Sequence, residues 1–155
     1  MTEIHLLILL LLVHVLADFY LQPLDWVQDR DRLHARSPKL RQHVALHMAG
    51  SLAVILLWQH SYGWSSQSLQ AMVLTAAIGC SHFLIDVVKS YFAGSSRAFL
   101  LDQIAHSTVL LLLWSAYCDQ WQWLSHPLWL DAKLWLSILI YLLVLQPASF
   151  LIGLL

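Results

Sequence analysis

Five long apolar runs divide the chain, and each is long enough to cross a lipid bilayer as an α-helix. A transmembrane helix needs about 20 predominantly apolar residues. The runs lie near residues 4–22, 43–60, 69–91, 98–118 and 132–154. Charged residues make up 11% of the chain, whereas a soluble domain has about 25%. These features predict an all-α integral membrane protein, with about five transmembrane helices that form a single domain over residues 1–155.

Lysine and arginine residues predict the orientation of these helices. Five of them lie between the first and second runs, whereas none lies between the second and third runs. Basic residues are enriched in the cytoplasmic loops of membrane proteins. We therefore expect the amino terminus to lie outside and the carboxyl terminus inside. The basic residues of the first connection are Arg30, Arg32, Arg36, Lys39 and Arg41.

Ionisable side chains recur in pairs, four residues apart, within the first four runs. Residues i and i+4 share one face of a helix, so each pair forms a polar stripe. A charged side chain at the bilayer centre costs about 2.5–3.5 kcal/mol on insertion scales. We therefore expect the stripes to face one another and not the lipid. The pairs are His14 with Asp18, His43 with His47, His82 with Asp86, and Asp102 with His106.

The expected orientation places the stripes at matching depths. With a rise of about 1.5 Å per residue, one set lies roughly 6–8 Å from the cytoplasmic helix ends and a second set roughly 12–14 Å. The shallower set is Asp18, His47, Asp86 and Asp102, and the deeper set is His14, His82 and His106. We therefore predict that these side chains converge inside the bundle, on its cytoplasmic side.

The paired residues have the chemistry of metal ligands. Histidine nitrogens and carboxylate oxygens bind zinc and other divalent first-row metals. In helical bundles, metal sites are built from inward-facing side chains on facing helices. The sequence therefore predicts a site for a divalent metal ion, with zinc as the expected ion. The preferred ligands are His47, His82, Asp86 and His106, with His14 and His43 as further candidates.

The other charged residues of the stripes suit acid–base chemistry. We assign Asp18 and Asp102 to catalysis or, together with His14, to a second metal ion or to orienting the ligands. Lys89 is a further catalytic candidate. It is expected to hold an anionic group at the mouth of the site or to pair with Asp86.

Two amides and one aromatic segment complete the set of candidates. Gln22 and Gln103 are expected to orient the metal ligands through hydrogen bonds. The segment 119–131, DQWQWLSHPLWLD, is rich in tryptophan. Because tryptophan side chains favour the membrane interface, we expect this segment to lie along the membrane surface.

Four short segments give the chain a family resemblance. They are LADFYLQ at 16–22, HVALH at 43–47, SHFLIDVVKS at 81–90 and FLLDQIAH at 99–106. In this order they resemble a bacterial membrane family known as domain of unknown function 3307, over roughly residues 14–106. The resemblance implies a multi-pass protein of the bacterial inner membrane whose motif residues are those of the stripes. The H-x-x-x-D pairs are also similar to those of bacterial inner-membrane metal-dependent hydrolases.

Three functions are compatible with a polar cluster of this kind in a membrane. The leading hypothesis is a membrane-embedded metal-dependent hydrolase whose site opens toward the cytoplasmic leaflet. Its expected partners are the lipid bilayer and a lipid or lipid-linked ester or phosphoester, and a net charge of −1 gives no indication of nucleic-acid binding. The alternatives are a proton- or cation-coupled transporter or channel, and a non-catalytic membrane subunit with a structural polar network.

Overall fold

The computed structural model describes residues 3–62, 68–119 and 140, and every regular element in these residues is helical. This confirms the predicted all-α class. The chain divides into two compact units, Met1–Cys118 and Asp119–Leu155, and the elements described below belong to the first unit. They are α1 (Glu3–Phe19), α2 (Leu24–Leu33), a 3₁₀ turn (His34–Arg36), α3 (Pro38–Tyr62), α4 (Ser68–Ser90) and α5 (Ser96–Cys118).

Within the described residues, three helical segments are long and apolar enough to cross a membrane, which supports a membrane protein. They are Pro38–Ser61, Ser68–Ser90 and Arg97–Cys118. A fourth span is added if α1 and the segment Leu24–Arg36 are counted as one bent span. The predicted fifth run at 132–154 lies outside the described residues apart from Ile140, and the aromatic segment 119–131 does so apart from Asp119.

The helices α1, α3, α4 and α5 form a four-helix bundle in which neighbours run in opposite directions. Helix α3 packs against α1 and α4, and α5 packs against the same two helices, so the four surround a shared interior. The close approach of α1 to α3 requires a glycine at position 50, because a Cβ atom there would lie 2.8 Å from Val13 Cγ1. This arrangement turns one face of each helix toward the other three.

The bundle buries ionisable side chains at the cap end and apolar ones, such as Leu6 and Ile55, deeper inside. Large apolar side chains are more than half exposed on the outer faces of α1, α4 and α5. A soluble bundle would keep its apolar faces in the core and present polar residues outside. The outward-facing residues include Ile8, Val73, Leu84, Leu101 and Ile104.

The predicted loop between the first two runs is largely helical, which corrects the sequence interpretation. Helix α3 begins at Pro38, well before the predicted start at residue 43. Proline suits the first position of a helix, and Ser37 caps this one, because its Oγ accepts a hydrogen bond from the Leu40 amide at 2.9 Å. The same hydroxyl donates to Asp29 Oδ2 at 2.6 Å and thereby lowers the pKa of the Asp29 carboxyl.

Helix α2 and the 3₁₀ turn together form a cap, residues 24–36, that lies across the ends of α3 and α4. The cap makes an angle of 86° with α1 and packs against both helices. Its far end is fixed by His34, whose Nδ1 lies 2.7 Å from Ser90 Oγ and whose ring stacks on Tyr91 at 4.0 Å. The cap therefore covers the end of the bundle at which the paired polar residues lie.

Candidate metal centre

Eight ionisable side chains form two adjacent layers inside one end of the bundle. Each of the four helices contributes one residue to each layer, and the layers are one helical turn, about 6 Å, apart. None of these side chains is more than 7% exposed. The outer layer, nearer the cap, consists of Asp18, His43, Asp86 and Asp102, and the inner layer consists of His14, His47, His82 and His106.

The composition of these layers differs from the predicted depths at one helix. His47 was expected among the shallower residues with Asp18, but it lies in the inner layer beside His14, with the two ring centroids 5.5 Å apart. The difference follows from the start of α3 at Pro38, which adds more than one turn between the helix end and His47. His43 takes the outer position instead.

Histidine rings fill the inner layer. The ring centroids of His47 and His82 lie 3.7 Å apart, and those of His82 and His106 lie 4.2 Å apart. His14 closes the layer, with its centroid 4.9 Å from that of His106. Four imidazoles from four different helices are therefore in mutual contact, which only inward-facing side chains can achieve.

Asp18 is the outer-layer carboxylate around which the histidines gather. Its Oδ1 lies 2.8 Å from His47 Nε2, 3.2 Å from His43 Nε2 and 3.8 Å from His82 Nε2. Its Oδ2 lies 3.8 Å from His14 Nε2. In the part of the chain that the structure describes, Asp18 contacts these imidazoles and no lysine or arginine.

The other two carboxylates of the outer layer each contact a basic side chain. Asp86 Oδ1 accepts a hydrogen bond from Arg30 Nη1 at 3.3 Å. Asp102 Oδ2 accepts hydrogen bonds from Lys89 Nζ and, at 3.0 Å, from Gln103 Nε2. Lys89 was predicted to hold an anionic group or to pair with Asp86, and the structure pairs it with Asp102 instead.

The ligand atoms fall into three overlapping groups that could each hold a metal ion. Within each group the atoms lie within 4.8 Å of one another, His82 is shared by the first two groups, and Asp86 is shared by the last two. The first group offers three imidazoles and one carboxylate, a set that suits the tetrahedral coordination of zinc. The groups are His14, Asp18, His47 and His82; His43, His82 and Asp86; and Asp86, Asp102 and His106.

Several buried atoms that face these groups have no hydrogen-bond partner among the described residues. Buried polar groups in proteins are usually hydrogen-bonded, so these atoms are available to a further ligand. Three are imidazole nitrogens, a type of atom that metal sites use, and two are carboxylate oxygens. The five atoms are Nε2 of His14, His82 and His106, Oδ2 of Asp86 and Oδ1 of Asp102.

A small cavity adjoins the inner layer on the side away from the cap. Its volume is about 10 Å³, close to the space that one water molecule requires. The four inner-layer histidines form its polar wall, and the rest of the lining comes from residues deeper in the bundle. These residues are Leu10, Ser51, Ile78, Ser81, Val109 and Leu110.

All nine residues predicted as catalytic or metal-binding lie in this one connected cluster: Asp18, Lys89, Asp102, His14, His43, His47, His82, Asp86 and His106. Of the two amides, Gln103 contacts Asp102, whereas Gln22 is half-buried beyond the end of α1.

Arg30 belongs to the cluster and was not among the predicted site residues. It was interpreted as one of five basic loop residues, but it is 4% exposed and reaches Asp86 from the cap. Two signals could have indicated a helix there. Asp25 lies in the first turn and Arg30 with Arg32 in the last turn, and both positions complement the helix dipole.

Comparison with curated proteins and with solved structures found no match in either set. A family model described as "Protein of unknown function (DUF3307)" matches residues 6–136, which include both polar layers and the cap. On this evidence the chain belongs to the DUF3307 family.

Proposed function

We propose that the protein is a membrane-embedded hydrolase that depends on a divalent metal ion, with zinc as the expected ion. The ion would be held by His14, Asp18, His47 and His82. This proposal rests on the environment of Asp18. Four imidazole nitrogens face this buried carboxylate, which contacts no lysine or arginine in the described residues.

The charges of the cluster support a cation at this position. The outer layer holds three carboxylates, and Asp31 contacts Arg30 from outside that layer, so four carboxylates face two basic side chains, Arg30 and Lys89. A buried charge without a partner is strongly destabilising. Asp86 and Asp102 each contact a basic side chain, whereas Asp18 contacts none in the described residues, so negative charge is left uncompensated at Asp18 if the histidines are neutral. A divalent ion bound at Asp18 would compensate it.

Catalysis would combine the metal group with the histidine next to it. Besides its four ligands, the zinc ion would need one open position for a water molecule, whose pKa it would lower to about 7. His106 lines the water-sized cavity together with three of the proposed ligands, and its Nε2 lies 3.3 Å from Asp102 Oδ1. Asp102 is itself held by Lys89. In this proposal Asp102 would orient the His106 ring, as a general base needs, by closing that approach into a hydrogen bond that neither atom makes in the described residues.

The depth of the site favours a lipid or lipid-linked substrate. The outer layer lies within about two turns of the helix ends, the part of a span that is nearest the polar headgroup region of a bilayer. The proposal includes five spans in a single domain, an outside amino terminus, an inside carboxyl terminus and the bacterial inner membrane as the location. In that orientation the cap and the layers face the cytoplasmic leaflet.

A proton path is the second candidate, and one set of contacts favours it. Titratable side chains follow one another from the cap side of α4 to α1, with steps of 3.3–3.9 Å after the Lys89–Asp102 contact. Chains of this kind mark proton relays in pumps and transporters. The order is Lys89, Asp102, His106, Asp86, His82 and Asp18.

Metal analysis of the purified protein separates the two candidates. Wild type in detergent should retain about one zinc ion per chain, the stoichiometry of a single four-ligand site. Asp18→Asn should lose the ion. Asp25→Asn, which removes an exposed carboxylate from the cap, should retain it. Release of p-nitrophenol from p-nitrophenyl butyrate or bis(p-nitrophenyl) phosphate should require the same ion and stop in EDTA. Absence of zinc from wild type would leave the proton path as the better account.

A further inference from the structure

Among the described residues of the cap, Arg30 is the one whose side chain contacts the polar layers. On the side of the cap, its guanidinium contacts Asp31, with Nε and Nη2 lying 3.0 and 2.9 Å from Asp31 Oδ1. From inside, Nη1 donates to Asp86 Oδ1 at 3.3 Å. The side chains of Arg30 and Asp86 are 5% and 3% exposed. Such a contact places a fixed positive charge at the edge of the layers.

Asp86 is also the carboxylate of a second group that could hold a metal ion. The group of Asp86, Asp102 and His106 shares no ligand with the Asp18 group, and Asp86 Oδ2, Asp102 Oδ1 and His106 Nε2 have no hydrogen-bond partner among the described residues. The donors for a second ion are therefore present beside the Asp18 group. Unlike the Asp18 group, this group contacts two basic side chains, Arg30 at Asp86 Oδ1 and Lys89 at Asp102 Oδ2.

We propose that Arg30 takes the place of a second metal ion and restricts the cluster to one. This inference rests on the proposed function, since it presupposes an ion at the Asp18 group. With Arg30 present, a second divalent ion at Asp86 would face a fixed positive charge across a few ångströms of buried, weakly screened space. Without that charge, Asp86 regains an uncompensated carboxylate and the group Asp86, Asp102 and His106 becomes a cation site.

The test is the zinc content of full-length variants purified in detergent, saturated with zinc and then desalted. Wild type should hold about one ion per chain, and Arg30→Gln about two. Arg30→Lys keeps the charge and should remain at one. Arg32→Gln is the matched control on the same helix, because the Arg32 side chain is 74% exposed and pairs with Asp29 outside the layers. It should also remain at one ion.

An Arg30→Gln protein that holds no more zinc than wild type would overturn the inference. If that variant does not fold, Asp86→Asn tests the same point, because it should keep the resident ion at the Asp18 group. If Asp86→Asn loses that ion, Asp86 is one of its ligands. The Asp86 group is then not a separate site from which Arg30 excludes a second ion.

The outcomes also separate this inference from the proposed function. If Arg30→Gln holds zinc but wild type holds none, Arg30 does exclude an ion from the Asp86 group, but the wild-type protein has no resident ion at Asp18. A complete lack of zinc in wild type, Arg30→Gln and Arg30→Lys would overturn both.

Discussion

The Nε2 atom of His47 lies 2.8 Å from Asp18 Oδ1, although 29 residues separate the two in the chain. The same oxygen faces the Nε2 atoms of His43 and His82 at 3.2 and 3.8 Å. One carboxylate oxygen has two lone pairs, so it cannot satisfy three imidazoles equally well. A metal ion shared by this oxygen and the rings of His47 and His82 would use three of these donors at once and leave Asp18 to contact His43.

Chelation should destabilise the wild-type protein. A ligand that binds only the folded state, present at about 100 times its dissociation constant, adds about 2.7 kcal/mol of stability. EDTA should therefore lower the melting temperature of wild type in detergent but leave that of His82→Ala unchanged. His34→Ala is the control, because His34 contacts Ser90 outside the layers, and it should respond to EDTA as wild type does. Equal melting of wild type with and without EDTA would contradict a resident ion.

His106 and His14 should differ in what their loss removes. We expect His106→Gln to keep the zinc ion and to lower the rate of ester or phosphoester hydrolysis by about 10²–10⁴-fold, the usual contribution of a general base. His14→Gln should instead lose the ion, since it removes one of the four proposed ligands. Zinc content and hydrolysis are measured on the same preparations. Equal loss of zinc from both variants would assign His106 to the metal and not to proton transfer.

The cap should depend on Ser37 for its attachment to α3. Ser37→Ala removes the helix cap contact with Leu40 and the hydrogen bond to Asp29. Loss of a serine cap costs about 0.5–2 kcal/mol, so the melting temperature should fall. Ser61→Ala is the matched control at the other end of α3, where the exposed hydroxyl donates to the Leu57 carbonyl of its own helix. Similar melting of the two variants would show that the contacts of Ser37 are not needed.

The orientation can be tested by labelling single cysteines with a membrane-impermeant maleimide. Ala35 is exposed on the cap and Ser61 is exposed at the opposite end of α3. In a background without Cys80 and Cys118, Ala35→Cys should be labelled only after the cells are opened, whereas Ser61→Cys should be labelled in intact cells. The reverse pattern would place the cap and the polar layers on the outer side of the membrane.

The helical period and the pairing of ionisable residues sufficed to predict which side chains share the interior. The i, i+4 spacing of His82 and Asp86, repeated on three other helices, requires one inward face on each. The depth of His47 could not be predicted correctly, because it depends on where α3 begins, and the Ser37–Pro38 start signal was interpreted as part of a loop.

The partners of the cations were not predictable from local patterns. Arg30 and Asp86 are 56 residues apart, and Arg30 is one of several bases in its segment. Which base points inward depends on how the cap packs across α3 and α4 and on its 86° angle to α1. Lys89 was predicted near the site, but its pairing with Asp102 depends on how α4 and α5 are aligned. Contacts of this kind are properties of the assembled bundle.

The division of the two polar layers among four helices has a consequence for biosynthesis. A nascent chain delivers α1 to the membrane first, when the partners of His14 and Asp18 on α3 and α4 have not yet been made. Ionisable side chains held alone in lipid are costly, so an early release of each helix into the bilayer would be unfavourable. The helices should therefore stay together at the insertion machinery until α5 arrives, and the cluster would act as a checkpoint for complete assembly.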